Sequence, residues 1–109
     1  MKIIVPWSSE PLQVYAIAWS RFPHEADILG NRTIFSVADG GGLAEVYEHE
    51  CEISSSDLNE FCIMPREFDA RYLVLMWKPL ADCGIWKDLR EFDKPALKRF
   101  SEMRAANGH

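Results

Sequence analysis

A chain of 109 residues with 48% hydrophobic and 27% charged side chains has the composition of one globular domain with a modest core, which excludes a disordered or fibrous chain. Its formal net charge of −5 is wrong for a nucleic-acid-binding module with the usual basic patch. The longest apolar candidate, Leu12 to Trp19, is interrupted by Gln13 and falls far short of the ~20 residues a membrane-spanning helix needs.

Lys2 to Val5 is a short β-rich run stopped by Pro6, and Met1 to Trp7 lacks the layout of a secretion signal. Leu12 to Ser20 is a stronger strand. Strict alternation puts Gln13, Tyr15, Ile17 and Trp19 on one face and Val14, Ala16 and Ala18 on the other, where the small alanines let a helix approach. Arg21 to Asn31, with Pro23 and Gly30, reads as a loop with a turn of helix around Glu25 to Leu29.

Thr33 to Ala38 and Leu43 to Ile53 flank Asp39-Gly40-Gly41-Gly42, the pattern of a β-hairpin with glycines in its turn. The second arm alternates: Tyr47, His49, Cys51 and Ile53 on one side, Glu48, Glu50 and Glu52 on the other. Ser54 to Ser56 offer N-caps, and Asp57 and Glu60 suit the first turn of a following helix that Pro65 ends. Ala70 to Lys78 is the most hydrophobic strand and is expected to be central.

Beyond Pro79 the apolar period changes to about 3.6. Ile85, Leu89 and Phe92 share one stripe, and Leu97, Phe100 and Met103 another, with Asp93 and Pro95 at the start of the last helix. The expected architecture is α+β: an antiparallel sheet of four to five strands with two to three helices on one face, the helices C-terminal, in a single domain.

The charge is unevenly placed. Between Arg32 and Arg66 there is no lysine or arginine, yet the window holds seven carboxylates: Asp39, Glu45, Glu48, Glu50, Glu52, Asp57 and Glu60. The residues before it balance, and those after it hold nine basic against seven acidic side chains, so the window carries the whole excess. A field of one sign steers basic partners and repels nucleic acid and anionic membranes. On an extended strand Glu48, Glu50 and Glu52 stand ~7 Å apart on one face, only loosely like DNA phosphates. The plainer reading is a solvated face or an edge strand guarded by charge.

Other constellations are weaker. His49 and Cys51, with Cys62 and Cys83, have the residue types of a zinc site, but no Cys-x-x-Cys or paired histidine spacing accompanies them. Cys83 beside Asp82 is poorly placed to become a thiolate. His24, Glu25 and Asp27 lack a nucleophile or an oxyanion donor. Gly40-Gly41-Gly42 leads into Leu43-Ala44-Glu45, not into the Lys-Ser/Thr of a phosphate loop. Lys94, Lys98, Arg99 and Arg104 make the last helix mildly basic, a face that could meet the acidic strand of a second copy in a homodimer. Trp7, in Pro6-Trp7-Ser8-Ser9, sits in a turn where an exposed ring can anchor a partner.

These observations imply a non-catalytic, cytoplasmic protein without metal or cofactor. It would bind and inhibit a basic protein partner, such as a nucleic-acid-handling complex, through Glu45, Glu48, Glu50, Glu52, Asp57, Glu60 and Trp7, with no direct contact to nucleic acid or membrane. Phage anti-CRISPR, anti-restriction and toxin-immunity proteins share this size and charge, an analogy from composition alone. The alternatives are an enzyme or ligand-binding protein with its site near His49 and Cys51, and an oligomerising module. The three cysteines, odd in number and far apart, favour free thiols in a reducing compartment.

Overall fold

The structure, a computed structural model, describes residues 1–21, 33–39 and 41–109. The helical turn expected at Glu25 to Leu29, the group His24, Glu25 and Asp27, and Gly40 lie outside the described residues. Among those described, seven strands precede three helices. The strands are β1 (Lys2–Ile4), β2 (Leu12–Ser20), β3 (Thr33–Asp39), β4 (Gly42–Tyr47), β5 (Glu52–Ser55), β6 (Phe61–Ile63) and β7 (Tyr72–Trp77). The helices are α1 (Lys78–Cys83), α2 (Trp86–Arg90) and α3 (Lys94–Ala106). Every strand pairing is antiparallel. This is the α+β class with C-terminal helices that the patterning implies.

Two segments depart from expectation. The arm Leu43 to Ile53 is not one strand: β4 ends at Tyr47, Glu48–Glu50 form a 3-10 turn, and the chain returns as β5 beside β1 instead of β3. No helix follows Ser54 to Ser56; Phe61–Ile63 form β6 on the edge of β7. Local acidic and hydroxyl residues suit a helix start, but Phe61 and Cys62 gain more by pairing with Trp77 and Met76.

β2 organises the sheet. One of its edges carries β3; the other is shared, first by β1 (Leu12 beside Ile3, Gln13 beside Lys2) and then by β7 (Ala16 beside Met76 through Ser20 beside Tyr72). β5 extends the β1 arm and β6 the β7 arm, so the sheet forks. At the fork Val14 pairs with Val37 and Ala16 with Ser36, which leaves Tyr15 as the extra residue of a bulge.

That bulge corrects the strict alternation. Tyr15 joins Ala16 and Ala18 on the helix face, whereas Val14 sits with Ile17 and Trp19 on the other. The helix-side core gathers Tyr15, Trp77, Met76, Leu80, Leu89 and Phe100, with the Tyr15 ring edge-on to Trp77 (5.2 Å) and Phe100 (5.0 Å). The opposite core packs Ile3 and Val5 of the β1 arm over Val14, Ile17, Phe35, Val37 and Val46.

Helix ends follow local chemistry. The Asp93 carboxylate accepts from the Ala96 amide at 3.2 Å, with Pro95 in the first turn of α3, as the sequence pattern implies. Phe92 does not share a buried stripe with Leu89. α2 ends at Arg90, and Phe92 falls in the next turn at φ 58° with 62% of its surface exposed. Its ring lies against the hairpin tip: a Cβ on Gly42 would lie 3.0 Å from it, so a larger residue there would have to displace the ring.

Phe100 is fully buried and Leu75 only half-buried, so the two should respond differently to truncation. Phe100→Ala is expected to cost ~3–5 kcal/mol and Leu75→Ala visibly less, read from urea midpoints at constant slope. An unchanged midpoint for Phe100→Ala would mean that α3 does not close this core.

Candidate functional site

The structure disperses the acidic segment. Glu45, on β4, reaches across to α2, where its carboxylate accepts from the Arg90 guanidinium. The row of Glu48, Glu50 and Glu52 on one strand face does not form. The Glu50 carboxylate instead accepts from the Tyr47 amide at 3.2 Å, closing the 3-10 turn and removing three like charges from a single line. Asp57 and Glu60 lie on the β5–β6 connection, Asp57 accepting from the Asn59 amide at 3.0 Å and Glu60 from the Trp77 indole at 2.9 Å. Trp7 is 56% exposed in the turn after β1.

Glu48 and Glu52 differ from Glu45, Glu50, Asp57 and Glu60. Their side chains have no hydrogen-bond or ion-pair partner among the described residues, and both line a cavity of about 590 Å3. Its sheet side is Ile17, Trp19 and Phe35; its other wall is Cys51, Ile53 and Leu58. The pairings explain why this surface is so apolar. Val46, Phe35, Ile17, Leu75 and Ile63 face one another across β4, β3, β2, β7 and β6, on the side away from the helices. Trp19 and Leu73 form the next row.

Burial falls along this line. Val46, Phe35 and Ile17 are buried, Leu75 is half-buried, and Ile63 is 70% exposed, beside Leu73 at 38%. The β1 arm therefore covers one end of an apolar sheet face and leaves the other end open. A continuous apolar surface with unpaired carboxylates at one margin suits a partner that offers both apolar and cationic groups.

His49 and Cys51 adjoin this cleft without forming a reactive pair. The His49 ring stacks on Tyr47 (centroids 6.1 Å, planes at 4°), and the Cys51 thiol donates to the Glu48 carbonyl at 3.8 Å. Burial, then the Glu50 and Glu48 charges, push the Cys51 thiol up, away from the thiolate a nucleophile requires. Cys83 lies elsewhere, with its sulfur 2.6 Å from the Arg99 Nε, and all three cysteines are free. Among the described residues no three His, Cys, Asp or Glu side chains gather as metal ligands.

At the fork a second constellation assembles that sequence spacing does not reveal. The buried Tyr15 hydroxyl accepts from Arg104 Nε at 3.0 Å and shares a second hydrogen bond with His109 Nδ1, also at 3.0 Å. The His109 ring stacks on Trp77 (4.9 Å, 24°). Tyr15 and His109 lie 94 residues apart, and only the bulge turns Tyr15 toward the helices. The apolar row was equally hidden: Ile63 and Leu73 carry no signal until β6 and β7 pair.

No protein-family model matches this chain, and no curated protein or solved structure is significantly similar to it. No helix among the described residues is long and apolar enough to cross a membrane.

The fork makes a pH prediction. Burial against Trp77 and Tyr15 holds the His109 imidazole below the ordinary histidine value; Glu60 opposes the shift and Arg104 adds to it. A depressed native value means that the unfolded chain binds the proton more readily, so this contribution is complete above about pH 6.5 and is lost as pH falls through the native value. The gap in urea midpoint between the native chain and His109→Ala should be widest near neutral pH and close on acidification. A gap independent of pH would show that the Tyr15–His109 bond does not depend on a neutral ring.

Proposed function

We propose that this protein is a non-catalytic antagonist that binds a basic protein partner through the cleft between the 3-10 turn–β5 segment and the sheet. The observation that carries this reading is the apolar row running out of the cleft to Ile63 and Leu73, with Glu48 and Glu52 unpaired at its margin. Apolar burial supplies the binding energy, and lysines or arginines on the partner meet the two carboxylates, which set orientation and association rate. Occupying a cationic surface blocks the anionic ligand that surface serves, which makes a nucleic-acid-handling protein the fitting class of partner. The three free thiols accord with action in a reducing cytoplasm.

This reading narrows the binding set. Glu45 is engaged by Arg90, Glu50 closes its own turn, and Asp57 and Glu60 line a different cavity. The partner contacts are Glu48 and Glu52 with Trp19, Ile53, Ile63 and Leu73, and Trp7 is peripheral to them.

The test compares variants against whatever the native protein retains from a lysate at low and at high salt. Glu48→Lys with Glu52→Lys should weaken capture at least tenfold at low salt, because attraction becomes repulsion within a Debye length of ~10 Å at 0.1 M. Ile63→Asp with Leu73→Asp should abolish it at any salt. Changing Asp88, Glu91 and Glu102 to lysine, on or beside α2 and α3, should leave capture intact. Equal loss in that control would reduce the effect to net charge, and full capture by both cleft variants would overturn the proposal.

A further inference from the structure

The fork holds an open pocket of about 370 Å3 that the partner reading does not use. Its shape follows from topology. β1 and β7 share one edge of β2 and then diverge, and the gap between them opens beside the Tyr15 bulge. The volume lies within the range of small-ligand pockets, and the lining comes from β1, β2, β5, β6, β7, the β5–β6 connection and His109, beyond the end of α3.

The two sides of the gap differ in charge. Next to β6 stands Glu60; on the β1 side stand Lys2 and the Met1 amino group, which donates to the Asp57 carbonyl at 2.7 Å and lies beside the Asp57 carboxylate. Glu60 is held in place, since its Oε2 accepts from the buried Trp77 indole at 2.9 Å, while its second oxygen is left for another donor. Between the charged sides lie Phe61 and the His109–Trp77 stack, with His109 anchored through Tyr15 to Arg104.

A pocket with the fixed Glu60 carboxylate on one side, the Lys2 and Met1 ammonium groups on the other and a flat apolar wall between them complements a ligand that is itself dipolar. An isolated cation would be opposed by Lys2, and an isolated anion by Glu60. We propose that the fork binds a small zwitterion of the amino-acid kind, its ammonium on Glu60 and its carboxylate on Lys2. The carbon chain lies against Phe61 and His109.

Calorimetric and tryptophan-fluorescence titrations of the full chain would test this with ω-amino acids of three to six carbons. Matched alkylammonium ions and alkanoates of the same lengths supply one charge each. At least one ω-amino acid should bind saturably, and its single-charge analogues at least tenfold more weakly. Glu60→Gln keeps an acceptor for the Trp77 indole and so preserves the local fold, yet it should lose this binding, as should Lys2→Gln. Glu48→Gln, in the cleft, should bind like the native chain. Saturation by the alkylammonium alone with equal affinity, retention of binding in Glu60→Gln, or no saturable binding by any member of the series would overturn the proposal. None of these results bears on the protein partner, whose contacts lie in the cleft.

Discussion

Two strands compete for one edge of β2, and the fold depends on how that competition is resolved. A strand edge offers a single row of amides and carbonyls, so β1 and β7 can share it only in succession. The bulge at Tyr15 marks the change of partner and reverses the alternation of side chains along β2. The β1 arm is thereby free to pack Ile3 and Val5 over one sheet face, while β7 stays in the sheet that backs the helices. Both cavities follow: one beneath the β1–β5 arm, the other in the gap where the arms diverge.

The same bulge joins the helix core to the fork. Tyr15 lies edge-on to Trp77 and Phe100 and uses its hydroxyl to connect Arg104 and His109. Each of its polar contacts is satisfied, which allows a hydroxyl at this depth. The ring also presses α3 against the sheet, so the packing of the last helix and the wall of the fork cavity are set by one side chain.

The carboxylates show how far local bonding can redirect a charge pattern. Seven acidic residues in one window suggest a single field, yet six of them end in separate roles: a tie between sheet and helix at Glu45, a turn closure at Glu50, a cavity wall at Asp57 and Glu60, and an unpaired margin at Glu48 and Glu52. Three like charges on one strand face would repel one another. A 3-10 turn in which Glu50 binds the Tyr47 amide relieves that repulsion and satisfies a backbone donor at once.

Where one local rule prevailed, the sequence was readable. β2 matched its expected span, the hairpin turned at the glycines, β7 proved central, and α3 began at Asp93 with Pro95, because strand propensity, turn chemistry and capping act over a few residues. Phe92 escaped because its helix stops two residues before it, so the 3.6 period no longer applied. By itself the sequence determined the α+β class, the C-terminal helices and the placement of charge along the chain. Tertiary structure alone decided the bulge at Tyr15, the breaking of the glutamate row, and the meeting of Trp19 with Leu73, Leu75 with Ile63, and Tyr15 with His109. Those contacts join residues far apart in the chain, and they exist only because β2 has one edge to give and two strands to share it.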